Sequence, residues 1–468
     1  MRRWGAAALV VVGMVGGLLV PAGTASAVHG GVPGDFNGDG YRDAVVPAPG
    51  ADVSGHEAAG AVIVLYGSKS GLSASRRATI TQNTSGVPGL AEAYDRFGAA
   101  TATLDLNRDG YADLVVTSPY EDTSKGTDAG TVTVLWGSSK GLTTATDLPT
   151  PAGAPNHYGL DVAVLSKGTG TRTRLAIAGW DGTVYVSGPF SRTGSHGSVT
   201  YNDNTPSTES VALGDFNGDG TPDPATATAR LTGLTGGDVY AAPAYGNELQ
   251  GNGLIVASGD VNGDGYDDLV AGDPDEPEHA GTDGQLGGRV LVWYGSAHGI
   301  APATAPVQIT QNTASVPGTS ERGDAFGGAL AVADLNRDGL ADIIVGSPYE
   351  DLAANRAGMV TVIPGRSSGA LGAGSYSFDQ DTAGIPGSSE TDDFFGTTVS
   401  AGDIDKDGKP ELFVGAANEN NSTGAVWMLP GGTSRPTAAG SKIFTATALG
   451  QKQTTGTLLG GNGLLWVI

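Results

Sequence analysis

The sequence predicts an all-β chain folded as a seven-bladed β-propeller. Three observations predict it. An acidic nonapeptide recurs six times in register. Short runs of Val, Ile and Leu alternate with clusters of Gly, Asp, Asn and Pro, the pattern of strands and turns. The repeat period averages about 61 residues, which suits a four-stranded unit with its loops.

Residues 1–27 read as a signal peptide. Arg2 and Arg3 form a basic start, Ala6 to Val20 is apolar, and Ala25-Ser26-Ala27 is a small-residue cleavage site. Cleavage is expected near Ala27, giving a secreted, extracellular domain over 28–468. The apolar run is short for a membrane span, and no later segment could cross one, so no membrane insertion is expected. With no Cys, disulfides are excluded, and something else must stiffen a chain with 77 Gly. The chain carries 25 basic and 49 acidic residues; without Arg2 and Arg3 the formal charge is −26. That charge disfavours nucleic acid and anionic membranes, and a compact chain this acidic repels itself unless cations bind.

The repeat begins with Asp35-Phe-Asn-Gly-Asp-Gly-Tyr-Arg-Asp43 and returns at 105–113, 215–223, 260–268, 334–342 and 403–411. A seventh copy is eroded: "VAVLSKGTGTRTRLAIAG" (162–179) aligns without a gap on "TATLDLNRDGYADLVVTS" (101–118). Ser166, Gly168, Gly170 and Arg174 replace Asp105, Asn107, Asp109 and Asp113 there. Flanking phrases repeat as well. Three long loops (80–98, 309–327 and 378–396) end in Phe-Gly, and "SPYED" follows two of the acidic copies. Each unit therefore reads as strand, acidic loop, strand, long loop, strand, Gly-Ser turn, strand. One such sheet cannot bury both faces, whereas seven arranged radially can. The fourth and fifth units are short; "DPATATAR" (223–230) replaces the usual strand, and the strand count of these two units is left open. The C-terminal "LLGGNGLLWVI" resembles the segment before Asp260, so Leu464–Ile468 is expected to close the ring as an inner strand of the first blade.

The Phe-Gly pairs, the acidic nonapeptides and the Ser-Pro steps resemble FG-GAP repeats. The resemblance implies the seven-bladed propeller of integrin alpha chains and of many secreted bacterial proteins.

Hard divalent cations take several oxygens, and Ca²⁺ draws them from carboxylates, amides and backbone carbonyls. Positions 1, 3 and 5 of each loop offer side-chain oxygens, Gly at 6 permits the turn, position 7 offers its carbonyl, and the acid at 9 closes the cage. The six expected ligand sets are Asp35, Asn37, Asp39, Tyr41 and Asp43; Asp105, Asn107, Asp109, Tyr111 and Asp113; Asp215, Asn217, Asp219, Thr221 and Asp223; Asp260, Asn262, Asp264, Tyr266 and Asp268; Asp334, Asn336, Asp338, Leu340 and Asp342; and Asp403, Asp405, Asp407, Lys409 and Glu411. An EF-hand would need Glu at position 12 and flanking helices. Position 12 is instead Val46, Val116, Thr226, Ala271, Val345 or Val414. About six structural Ca²⁺ ions would bring −26 to about −14.

Catalytic patterns are scarce. His56-Glu57 is isolated, and no Cys is present for thiol chemistry. Gly137–Gly141 and Gly365–Gly369 match G-x-S-x-G but sit at the repeat's Gly-Ser turn, not at a strand-to-helix elbow. Arg322-Gly323-Asp324 is an adhesion-type tripeptide, yet its Asp belongs to the repeat, aligned with Asp95 and Asp393. Tyr120, Glu121 and Asp122, with Tyr349, Glu350 and Asp351, fall on the long-loop face and are the candidate ligand contacts. The expected function is non-catalytic, calcium-dependent binding of an extracellular protein or glycan by a monomer. The alternative is a hydrolase or hydrolase accessory, since similar repeats accompany a glycosylphosphatidylinositol-specific phospholipase D.

Overall fold

The computed structural model describes residues 34–153, 156–167, 172–203, 207–230, 236–242, 248–277 and 282–464. The first sheet holds β1 (Ala44–Ala48), β2 (Ala61–Leu65) and β3 (Arg77–Ile80). The second holds β4 (Thr101–Leu104), β5 (Asp113–Ser118), β6 (Thr131–Trp136) and β7 (Thr144–Asp147). The third holds β8 (Val162–Ser166), β9 (Thr173–Gly179), β10 (Gly182–Ser187) and β11 (Val199–Asn202). The fourth holds β12 (Thr208–Gly214), β13 (Asp223–Thr228), β14 (Gly237–Ala241) and β15 (Glu248–Gly253). The fifth holds β16 (Ile255–Gly259), β17 (Asp268–Asp273), β18 (Arg289–Trp293) and β19 (Val307–Ile309). The sixth holds β20 (Ala329–Ala333), β21 (Asp342–Ser347), β22 (Met359–Ile363) and β23 (Tyr376–Phe378). The seventh holds β24 (Phe395–Gly402), β25 (Glu411–Ala416), β26 (Ala425–Leu429) and β27 (Lys442–Thr445).

All neighbours within a sheet are antiparallel, and the sheets form a seven-bladed β-propeller. The first strands of successive blades, β4, β8, β12, β16, β20 and β24, touch in turn round the axis. Middle strands such as β5 and β25 are buried at every residue, whereas the outer β7 has no buried residue. The reason is the radial stack: a middle strand is covered on both faces by neighbouring blades, so polar alternation vanishes there. The fourth and fifth blades, whose strand count the sequence left open, have all four strands. "DPATAT" is β13 and fully buried. Small Ala and Thr side chains fit where adjacent blades approach closely, and packing overrides their weak strand propensity.

Each Phe-Gly hooks a blade to its predecessor. Gly60 bridges Phe97, and Gly288 bridges Phe326, in parallel pairs. Gly358 has φ 87°, and a Cβ there would collide with the Phe395 backbone. Gly358→Ala therefore combines a left-handed residue with a steric clash, and should cost about 2–4 kcal/mol. Chemical denaturation of the variant checks this, and an unchanged midpoint would refute the hook.

The ring joins where the seventh blade meets the first. Ala44, Val46, Ile63 and Leu65 share a core with Ile404, Phe413, Met428 and Leu459. Lys442 Nζ donates to the carbonyls of Ser70 (3.2 Å) and Leu72 (2.9 Å). Gly424 lies against the Leu459 backbone as Gly358 lies against Phe395, so Leu459-Gly460 takes the Phe-Gly place of the first blade. Gly460 N–H donates to the Pro47 carbonyl at 2.7 Å. Thr398 Oγ1 donates to the Gly460 carbonyl at 2.9 Å. Of the expected closing strand, residues 465–468 lie outside the described residues, and Leu464 is buried in the cluster of Leu254, Ile255 and Leu330. Gly34 pairs with Asp43 in the register of Leu104 with Asp113, so the described end of the first blade's inner position comes from the N-terminal side. Residues 1–27, expected from the sequence to be a signal peptide, also lie outside the described residues. Among the described residues, no helix is long and apolar enough to cross a membrane.

Candidate metal loops and the opposite loop face

The six acidic loops share one face with the Gly-Ser turns. Each loop is a nest of side-chain-to-backbone turns, the local preference of Asp and Asn. In the first loop, Asp35 accepts from Gly38 N–H (2.7 Å) and Gly40 N–H (2.8 Å), and Asn37 Oδ1 accepts from Asp39 N–H (2.8 Å). Asp39 Oδ1 accepts from Tyr41 N–H at 3.0 Å. The same contacts recur at Asp260, Asn262 and Asp264, and at Asp334, Asn336 and Asp338. Positions 1, 3 and 5 are thus held in fixed rotamers by their own loop.

Position 9 does something the sequence did not reveal. Asp43 accepts from Phe36 N–H and from Gly67 N–H, both at 2.9 Å, and so ties the loop to the Gly-Ser turn. Asp113, Asp268, Asp342 and Glu411 repeat this clamp. Burial pushes the carboxyls of Asp43, Asp113, Asp268, Asp342 and Glu411 up to about 7. Loops also brace one another. Ala112 N–H donates to the Asp35 carbonyl, Asp267 N–H to Asp215 and Ala341 N–H to Asp260. Position 4 is left-handed throughout: Gly38, Arg108, Gly218, Gly263, Arg337 and Lys406 all have φ between 60° and 76°. It is Gly where the next loop leans a bulky position 7 against it, as Tyr111 does on Gly38, Tyr266 on Gly218 and Leu340 on Gly263.

The residues fit a hard cation. Carboxylate oxygens of Asp403, Asp405 and Glu411 lie within 4.8 Å of one another. Asp403 Oδ1 and Asp223 Oδ2 are buried without a hydrogen-bond partner. Basic side chains reach three position-5 acids: Arg192 pairs with Asp109 (2.6 Å), Lys409 with Asp407 (2.6 Å) and Arg76 with Asp39 (3.5 Å). Among the described residues, none pairs with Asp264 or Asp338 at ion-pair distance. In the eroded third unit, Arg172 donates to the carbonyls of Asp219 (3.3 Å) and Gly220 (3.1 Å), and Arg174 to that of Pro222 (3.1 Å). Gly168 and Gly170 lie outside the described residues.

On the opposite face, the structure divides the candidate contacts. Glu121 and Glu350 are only 8% and 7% exposed and do not form a solvated rim. Glu121 accepts from Gln82, and Glu350 from Gln311 at 2.5 Å, each Gln coming from the preceding blade. Glu419 accepts from Gln380 at 2.8 Å and is a third copy. The gapless alignment of "ELFVGAANEN" (411–420) on "DIIVGSPYED" (342–351) would have found it. Burial raises all three Glu to about 7. Asp122 accepts from Asp128 N–H (2.9 Å) and Asp351 from Arg356 N–H (2.7 Å), shaping their own loops while exposed. Tyr120 packs edge-on to His157, and Tyr349 edge-on to Phe394, each with ring centroids 4.9 Å apart.

Asp324 of the Arg-Gly-Asp tripeptide is 2% exposed and accepts from Glu321 N–H at 2.6 Å, so its carboxylate is not displayed. The G-x-S-x-G segments are turns: Ser138 Oγ donates to the Gly141 carbonyl at 2.7 Å, and Arg366 N–H to that of Val261 at 2.9 Å.

Five segments, 27–65, 97–135, 252–293, 326–363 and 395–429, match the FG-GAP repeat. The chain is 29% identical over 247 residues to integrin alpha pat-2 of Caenorhabditis briggsae, covering 48% of this chain and 18% of that protein. It is 32% identical over 220 residues to integrin alpha-5 of Xenopus laevis, covering 44% and 19%. It is 39% identical over 110 residues to phosphatidylinositol-glycan-specific phospholipase D of Bos taurus, covering 23% and 13%. The chain thus spans less than a fifth of the length of these relatives. The matched segments cover the first, second, fifth, sixth and seventh blades, from acidic loop to third strand, and the chain is an FG-GAP repeat protein with an integrin alpha-like β-propeller fold.

Proposed function

We propose that the chain is an extracellular, non-catalytic binding module whose acidic loops hold calcium and whose opposite loop face meets the ligand. The observation that carries the reading is the repeated loop geometry, in which three side chains per loop are pre-set on one face of a rigid ring. When bound, calcium would supply fixed positive charge among the acids. The position-1, -3 and -5 side chains and the position-7 carbonyl would hold it. The position-9 carboxylate, which also anchors the loop to its blade, would close the set, as Glu411 stands beside Asp403 and Asp405. Extracellular calcium modules typically bind at about 10⁻⁴–10⁻³ M, which suits an exported chain. A monomer is expected. A hydrolase accessory role is the second reading, favoured by the likeness to the phospholipase D.

The test is binding of the purified chain to immobilised matrix proteins, peptidoglycan and glycans, with calcium and with chelator. Retention should require calcium, and should fall at least tenfold in Tyr120→Ala but not in Lys140→Glu on the turn face. Binding that ignores calcium, or that follows Lys140 instead, would overturn the assignment of faces.

A further inference from the structure

The loop face holds a cavity of about 390 Å³ where blades six, seven, one and two meet, within the range of small-molecule sites. Asp52, Glu57, Tyr94, Arg96, Tyr349 and Phe394 line it. Two of these side chains hold left-handed backbone positions, which the copy at 378–396 fills with Asp392 and Phe394. Tyr94 (φ 73°) and Arg96 (φ 57°) align with Gly323 and Ala325 of "ERGDAFG". A large aromatic and an arginine at left-handed positions are costly, and such cost concentrates at functional sites. Tyr94 is nevertheless 51% exposed, with its hydroxyl donating to Glu57 at 2.7 Å and its ring open to the cavity mouth. The aromatic surface continues outward from Arg96. The Arg96 guanidinium lies 5.5 Å from the Tyr120 ring centre, Tyr120 meets His157, and His157 meets Trp180, itself 51% exposed.

The charges select the ligand class. Asp52 and Glu57 repel an anion. A cation would be opposed by two guanidiniums, Arg96 at 5.5 Å from the centre of Tyr120 and Arg356 at 5.8 Å from that of Phe394. What remains welcome is a neutral molecule with an apolar face and many hydroxyls. Ring carbons can stack on Tyr94, while carboxylates accept and a guanidinium donates to hydroxyls that do both. We propose that this cavity binds a neutral oligosaccharide; the inference rests on the binding function above and names its ligand.

The experiment titrates the full chain, in millimolar calcium, with neutral tri- to hexasaccharides of hexoses and N-acetylhexosamines. A sulfated oligosaccharide and an Arg-rich peptide run beside them. At least one neutral glycan should bind, and Tyr94→Ala and Arg96→Ala should each weaken it tenfold or more with unchanged melting. Tyr294→Ala, an exposed aromatic far along the fifth blade, should leave it unchanged. Neutral glycans bound equally by all variants would overturn the site. Binding of only the sulfated sugar or the peptide would overturn the class, as would no binding at all. If the chain still binds matrix protein or peptidoglycan in calcium, the broader binding function survives that failure.

Discussion

Chelation of the calcium-loaded protein is expected to lower its melting temperature by about 9 °C. At ten times the dissociation constant each site adds about 1.4 kcal/mol, and six sites about 8 kcal/mol. For a chain of this size the unfolding entropy near the transition is about 0.9 kcal/mol/K, which converts that energy to the stated shift. Titration calorimetry should give about six ions. The loops of Asp264 and Asp338 should fill before those of Asp109, Asp407 and Asp39, for which Arg192, Lys409 and Arg76 compete. The penalty should also depend on pH. Glu121, Glu350 and Glu419, with Asp43, Asp113, Asp268, Asp342 and Glu411, titrate near 7 when folded and well below that when unfolded. Between those limits the metal-free fold binds more protons than the unfolded chain, so its stability falls as pH rises through about 7 and is regained toward about 4–5. Calcium needs ionised loops. The difference between loaded and chelated protein should therefore be greatest near pH 8 and shrink as pH drops. An unchanged melting curve in chelator, or a difference that grows on acidification, would contradict this account.

Removing residues 456–468 should be at least as damaging. Leu459 is fully buried at the seam between blades one and seven, and Gly460 bonds to both. Losing that plug exposes the core of Ala44, Val46, Phe413 and Met428, and frees strand edges that invite aggregation. The truncated chain should be insoluble or melt many degrees lower. The single substitution Leu459→Ala separates the packing from the backbone contacts, and should cost about 2–5 kcal/mol. A truncated protein that melts like the intact one would show that the ring closes without this segment.

Much of the fold was legible because its determinants are local. Nine contiguous residues set each acidic loop: Asp and Asn turn back on their own backbone, and Gly40 or Gly110 takes the positive φ expected at position 6. Seven copies of the unit then demand a radial stack, since a single blade leaves apolar faces open. The tertiary structure alone decided other features. Position 4 is Gly in the three loops where the next blade sends a bulky side chain over it, as Tyr111 over Gly38. Glu121 is a latch and not a rim residue, because Gln82 of the preceding blade lies opposite it. Small residues in "DPATAT" form a buried strand, because both faces are covered. Tyr94 and Phe394 line one cavity only because ring closure brings distant repeats together. Local hydrogen bonding writes itself into short motifs. Contacts between blades depend on which surfaces the closed ring sets face to face, and no single repeat encodes that.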